Sequence, residues 1–137
     1  MKIGILREEK VPTDKRVPLS PNQCKRLIAQ YPSIVLFVQS SNIRCFQDSE
    51  YEDLGINIEE DISDCDVFLG IKEVPIESLI ADKTYLFFSH TLKKQDYNRA
   101  LLQDMLVKRI KMVDYEVIKN TNGKRLLGFG RYAGIIG

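Results

Sequence analysis

Four residues in two short stretches have the types and spacing to do chemistry. Val67-Phe-Leu-Gly-Ile-Lys-Glu-Val-Pro75 carries Lys72 and Glu73 just past an apolar run, and Tyr85-Leu-Phe-Phe-Ser-His-Thr-Leu-Lys93 carries His90 and Lys93 just past another. Apolar runs of this length are typical of strands buried on both faces. In an open parallel sheet, ligands bind beyond the carboxyl ends of the strands, so all four side chains are expected along one edge. His90 is the single histidine of the chain. An imidazole titrates at about pH 6.5, and a lysine, ordinarily at about 10.4, is pulled down by burial and by a second cation. Such a pair suits proton transfer as a carbonyl, a carbinolamine and an imine interconvert. An arginine close by would bind the carboxylate of a 2-oxo or amino acid through two parallel hydrogen bonds. The bland alternative is that Lys72 and His90 are solvated residues at strand ends.

The elements that must position these residues follow from the pattern of the chain. Lys2-Ile-Gly-Ile-Leu6 is β-prone and reads as the first strand, followed by a charged loop over residues 7–16 that holds Arg7 and Arg16. Ser20-Pro-Asn-Gln23 is a helix start, with a capping serine, proline at the first helical position and glutamine closing a capping box. Cys24, Leu27, Ile28 and Tyr31 then recur on one face, with Cys24 read as a core contact. Residues 34–38 form a second strand, and residues 46–54 carry a weaker helical pattern closed by Gly55. Residues 59–66 are a polar approach to the Val67 strand. Residues 94–108 read as a helix with Tyr97, Leu101 and Met105 in one row. Residues 109–115 give a further strand, and Asn122-Gly123 marks a hairpin turn between residues 117–118 and 124–127. Strands alternating with helices imply an α/β fold, a parallel Rossmann-like (flavodoxin-like) sheet flanked by helices, with a small β hairpin near the C-terminus.

Composition narrows the function classes. A formal net charge of +1 gives no electrostatic reason to expect nucleic acid or an acidic membrane surface as partner. No apolar run approaches the roughly 20 residues of a membrane span, and no secretory leader is expected at the N-terminus. Cys24, Cys45 and Cys65 are an odd count without a CxxC pair. That argues against a disulfide framework or a metal site and for a reducing cytoplasm.

Ile3-Gly-Ile-Leu-Arg-Glu-Glu9 followed by Asp14-Lys-Arg-Val-Pro-Leu-Ser-Pro21 resembles the N-terminal signature shared by alanine dehydrogenase, the proton-translocating transhydrogenase and the lysine-forming saccharopine dehydrogenases. Gly70-Ile-Lys-Glu-Val-Pro75, Phe87-Phe-Ser-His-Thr-Leu-Lys-Lys-Gln95 and Val113-Asp-Tyr-Glu116 are similar to the lysine-ketoglutarate reductase domain of the saccharopine pathway. The resemblance implies that Lys72 and His90 are the acid–base pair of imine formation and reduction. It implies Arg16 as the arginine on the substrate carboxylate, and Glu73, Lys93, Glu116 and Arg125 as charged residues lining the same cleft. Asp14 stands where the family often has glutamate. The implied cofactor is NAD or NADP, bound mainly outside this sequence, and the implied partner is a small amino acid or 2-oxo acid; a homo-oligomer is compatible with it. Residues 1–127 are then the substrate-side domain, and residues 128–137 open a linker helix toward a separate nucleotide-binding domain. Gly128-x-Gly130-x-x-Ala133 fits the G-x-G-x-x-G/A pattern but reads as a decoy, since no strand, helix and distal acid frame it. Alanine dehydrogenase and a binding module without chemistry are the alternatives.

Overall fold

The structure, a computed structural model, describes residues 1–128, 130 and 135. Its frame is a six-stranded sheet of β1 (Lys2–Ile5), β2 (Val35–Gln39), β3 (Asn57–Glu59), β4 (Val67–Leu69), β5 (Thr84–Phe87) and β6 (Lys111–Asp114), in the order β3-β2-β1-β4-β5-β6. Every neighbouring pair is parallel. The five strands read from the pattern stand in flavodoxin order, and β3, added outside β2, completes the six-strand Rossmann order. The polar approach to the Val67 strand is preceded by this short edge strand. Its Asn-Ile-Glu sequence offers one apolar side chain, so no run announces it.

Strand alternation sends side chains to two cores, one on each face. Ile3, Ile5, Leu36 and Val38 pack with Cys24 of α1 (Pro21–Gln30) and Tyr51 of α2 (Asp48–Glu52). On the opposite face Phe68, Tyr85 and Phe87 pack with Leu101 and Met105 of α3 (Arg99–Val107). The Phe68 and Tyr85 rings stack with centroids 4.9 Å apart. Gly4 is paired with Phe37 on one side and Phe68 on the other. A Cβ there would lie 3.2 Å from Phe68 Cδ1 and 2.9 Å from Ile62 Cδ1, so a larger residue in the central strand would force these side chains to shift.

The start of α1 forms as its sequence dictates: Ser20 Oγ accepts from the Gln23 amide and Gln23 Oε1 accepts from the Ser20 amide. The third helix begins later than its pattern suggests. Two 3-10 turns, Thr91–Lys93 and Asp96–Asn98, precede it, separated by Lys94 at φ +50°. That left-handed residue stops helical winding, and Tyr97, expected in the core row, is 68% exposed. The hairpin is present in minimal form. Lys119 and Arg125 make one antiparallel bridge, closed by Gly123 at φ +77° donating to the Asn120 carbonyl. The expected linker helix and the Gly128-x-Gly130-x-x-Ala133 pattern lie outside the described residues, apart from 128, 130 and 135. Among the described residues no helix is long and apolar enough to cross a membrane.

Candidate active site

The expected residues other than Arg125 lie in the segments that follow β1, β4, β5 and β6. Sheet pairing runs on past the strands: the Gly70 amide donates to the Leu86 carbonyl (2.9 Å) and the Phe88 amide to the Ile71 carbonyl (3.0 Å). Lys72 therefore follows one residue, and His90 two residues, beyond a paired position. Strand order reverses between β1 and β4, the switch point at which doubly wound sheets open a crevice. A cleft of about 160 Å³ lies there, and Arg7, Glu8, Gln39, Gly70, Lys72 and Glu73 are among its walls.

His90 sits at φ +55°, ψ 10°, a left-handed conformation that costs a non-glycine residue of order 1–2 kcal/mol. Its surroundings hold it there. The His90 carbonyl accepts from Asn98 Nδ2 (3.2 Å) and from the Lys93 amide (3.2 Å). Just before it, buried Ser89 donates through Oγ to Asp114 Oδ2 (2.5 Å). The other oxygen of Asp114 accepts from the Glu116 amide (2.8 Å). One buried carboxylate thus ties the end of β5 to the end of β6. Across that tie, Glu116 Oε1 lies 3.2 Å from His90 Nδ1 and 3.9 Å from Lys93 Nζ. The histidine contact is close enough for charge pairing when the ring is protonated. It is out of line for a hydrogen bond, so the buried Nδ1 has no hydrogen-bond partner among the described residues.

The loop after β1 supplies the second half. Arg16 wraps Asp14 with Nε at 2.9 Å from Oδ1 and Nη2 at 2.5 Å from Oδ2. This pairing, aided by the charge of Lys72, holds the Asp14 carboxyl below its ordinary range. Glu73 meets Lys10 at 2.5 Å and is turned toward that loop. Lys72 thus acts by charge on Asp14, Glu73 is tied to Lys10 of the same loop, and His90, Lys93 and Glu116 form a second group past the ends of β5 and β6. Arg125 stands apart. It is exposed on the hairpin, beside Gly128, and makes no ion pair with the cluster among the described residues.

Two carboxylates at the centre escaped the sequence reading. Glu8 is 8% exposed and accepts from the amides of Ile71 (2.7 Å) and Lys72 (2.9 Å). Burial pushes its carboxyl up, against the lowering effect of those hydrogen bonds. Its place in a highly charged loop hid it, although a glutamate so soon after a central strand is a usable signal. Asp114 is the other, at the end of a strand whose apolar residues drew attention instead. Tyr115, buried against Phe88, lines a separate apolar cavity with Leu69 and Ile71, and its hydroxyl is pushed up by burial and by the Glu8 charge.

The loop after β1 lacks the glycine-rich phosphate turn of a dinucleotide site. Such a site needs a glycine-rich turn between the first strand and its helix, and the connection from β1 to α1 has no glycine and places Glu8 and Glu9 there instead. Comparison with known proteins extends the picture. The family model for the alanine dehydrogenase/PNT N-terminal domain matches residues 4–136. The chain belongs to that family. It is 42% identical to the alpha-aminoadipic semialdehyde synthase of Arabidopsis thaliana, over 98% of this chain and 13% of that one. It is 36% identical to the mitochondrial alpha-aminoadipic semialdehyde synthase of Rattus norvegicus, over 98% and 14%. With the saccharopine dehydrogenase [NAD(+), L-lysine-forming] of Yarrowia lipolytica it shares 29% identity over 96% of this chain and 37% of that protein. The chain thus spans only a minor part of the curated relatives it matches. Among solved structures, an L-alanine dehydrogenase superposes with a TM-score of 0.73 at 19% identity, over 90% of this chain and 35% of that one. The transhydrogenase from Sinorhizobium meliloti gives 0.71 at 17%, over 89% and 37%. These two show a shared fold, and the family resemblance read from the motifs is borne out.

Proposed function

We propose that the chain is the substrate-side domain of an NAD(P)-dependent amino-acid oxidoreductase of the saccharopine type, acting on the imine of lysine and 2-oxoglutarate. The observation that carries this reading is the placement of Lys72 and His90 beyond adjacent parallel strands at the switch point, with the Arg16 fork on the neighbouring loop. A relative named saccharopine dehydrogenase [NAD(+), L-lysine-forming] matches 96% of the chain and supports this reading. Arg16 binds a substrate carboxylate, for which Asp14 is the resident stand-in. Lys72 and His90 move the protons of condensation. One takes the proton from the attacking amine, and the other gives a proton to the carbinolamine hydroxyl, which leaves as water. Glu116, Lys93 and Glu73 set the local charge, and Arg125, on the hairpin, lies apart from them. NAD or NADP, held outside the described residues, supplies the redox partner. The three free cysteines support a reducing compartment, and the cytoplasm is our reading.

The full-length protein, assayed with lysine plus 2-oxoglutarate and separately with pyruvate plus ammonium, is expected to oxidise NADH or NADPH with the first pair. Turnover with pyruvate alone would sink the substrate assignment. Lys72→Met and His90→Gln are each expected to lower turnover by about 10²–10⁴-fold; unchanged rates in both would remove the acid–base roles.

A further inference from the structure

Glu8 has a place in this site that no role so far explains. Past β4 the chain of β1 has turned away, so the amides of Ile71 and Lys72 have lost a strand neighbour on that side. The Leu6 amide still donates to the Leu69 carbonyl (2.9 Å). Two residues on, the Glu8 carboxylate takes over, with Oε1 on the Ile71 amide at 2.7 Å and Oε2 on the Lys72 amide at 2.9 Å. Both oxygens are thus committed to consecutive peptide groups, and the second belongs to the lysine itself. The two partners are 63 and 64 residues away in sequence, so the contact is made by the finished fold and by nothing local.

A carboxylate is a costly way to satisfy two amides. Burial raises its pKa, meaning that the folded protein disfavours the charged form. Perturbed groups of this kind gather at functional sites because geometry there outweighs stability. The surroundings agree: Asp14 and Arg16 act on Glu8 by charge, and Tyr115 stands within reach of its field.

We propose that Glu8 is a positioning residue for Lys72, fixing the Ile71 and Lys72 peptide planes and so the direction in which the ammonium leaves the end of β4. The role rests on the acid–base reading of Lys72 given above. Only a carboxylate of this length presents two acceptors to two adjacent N–H groups. In Glu8→Gln one oxygen becomes an NH2 that faces an N–H donor, so one peptide must rotate. In Glu8→Asp the charge stays but the side chain is one methylene too short to reach both amides.

The test is a double-mutant cycle in the full-length protein, read by steady-state kinetics in the lysine assay. Displacement of a catalytic group by about 1 Å costs up to about 10²-fold, so Glu8→Gln and Glu8→Asp are each expected to lower kcat by about 10- to 100-fold. KM should stay within about threefold, since substrate is bound elsewhere. In the Lys72→Met background the residual rate should change by less than about twofold on adding Glu8→Gln, because residues that act as a unit are non-additive. Equal slowing in both backgrounds assigns Glu8 a merely structural role and overturns the proposal. A wild-type kcat in Glu8→Asp overturns it too, by showing that charge and not position matters. Lys72→Met slowed with Glu8→Gln unaffected refutes Glu8 alone, whereas an unaffected Lys72→Met removes the acid–base reading and the role of Glu8 with it.

Discussion

Replacing Asp114 by alanine should uncouple the two strand ends that hold the histidine half of the site. Its carboxylate accepts from Ser89 Oγ at 2.5 Å, from the Ser89 amide at 3.3 Å and from the Glu116 amide at 2.8 Å. Ser89 is fully buried, so water does not replace what is lost there. A hydrogen bond to a charged group contributes about 1.5–3 kcal/mol, and a buried amide left unpaired costs about 1–3 kcal/mol. The hydroxyl keeps one refuge, Thr91 Oγ1 at 2.8 Å, and the half-buried Glu116 amide can turn to solvent. The sum for Asp114→Ala is then about 3–5 kcal/mol. For a chain of this size that is a fall in Tm of about 10–20 °C. Ser89→Ala, which removes a donor but leaves the carboxylate its two amides, should cost only about 1–2 kcal/mol. Urea titration of wild type and both variants, followed by circular dichroism, measures all three quantities. A loss below about 1 kcal/mol in Asp114→Ala, or equal losses in the two variants, would refute the clamp. Turnover should fall as well, because the clamp holds the residues on either side of the left-handed His90 and its neighbour Glu116.

Three further outcomes follow from single contacts. The Arg16 pairing holds the Asp14 carboxyl below its ordinary 3.8, so it stabilises the fold above that pH and the benefit is lost as pH falls through the lowered folded value. Asp14→Asn should therefore be less stable than wild type at pH 6, and the difference should shrink as pH falls below 3.8, as chemical denaturation at each pH will show. Cys24 is buried with its thiol pushed up to about 11, and Cys65 is buried as well, whereas Cys45 is exposed. Iodoacetamide at pH 8 should modify Cys45 in the native protein and reach Cys24 only after unfolding, with peptide mass spectrometry as the readout; equal rates would contradict the packing of α1. Phe68→Ala removes a ring that is 1% exposed and stacked on Tyr85, so a loss of about 3–5 kcal/mol is expected in the same urea titration.

Much of the fold was legible because its signals are local. The capping box at Ser20 and Gln23 forms as written, and the apolar runs at Val67 and Tyr85 become buried parallel strands. The reading slipped where tertiary contacts decide. β3 exists because β2 offers it an edge, and Tyr97 leaves the core because Lys94 breaks the winding before α3. The site divides in the same way. Lys72 and His90 announce themselves as rare ionisable residues after apolar runs. Glu8 and Asp114 do not, since their function lies in contacts with backbone distant in sequence, and a charged residue in a charged loop reads as solvated.

The position of β1 in the middle of the sheet also shapes how the molecule must come into being. It is made before both of its neighbours, and it pairs with β4 as well as β2. From Ile5 to Val67 the ribosome needs about 3–12 s at 5–20 residues per second. During that interval one edge of an apolar strand has no partner, and the pair formed by β1 and β2 presents it to any other chain nearby. The charged loop that follows β1 borders that edge throughout. The acidic and basic residues that later line the cleft are therefore also placed to keep the growing chain apart from its neighbours.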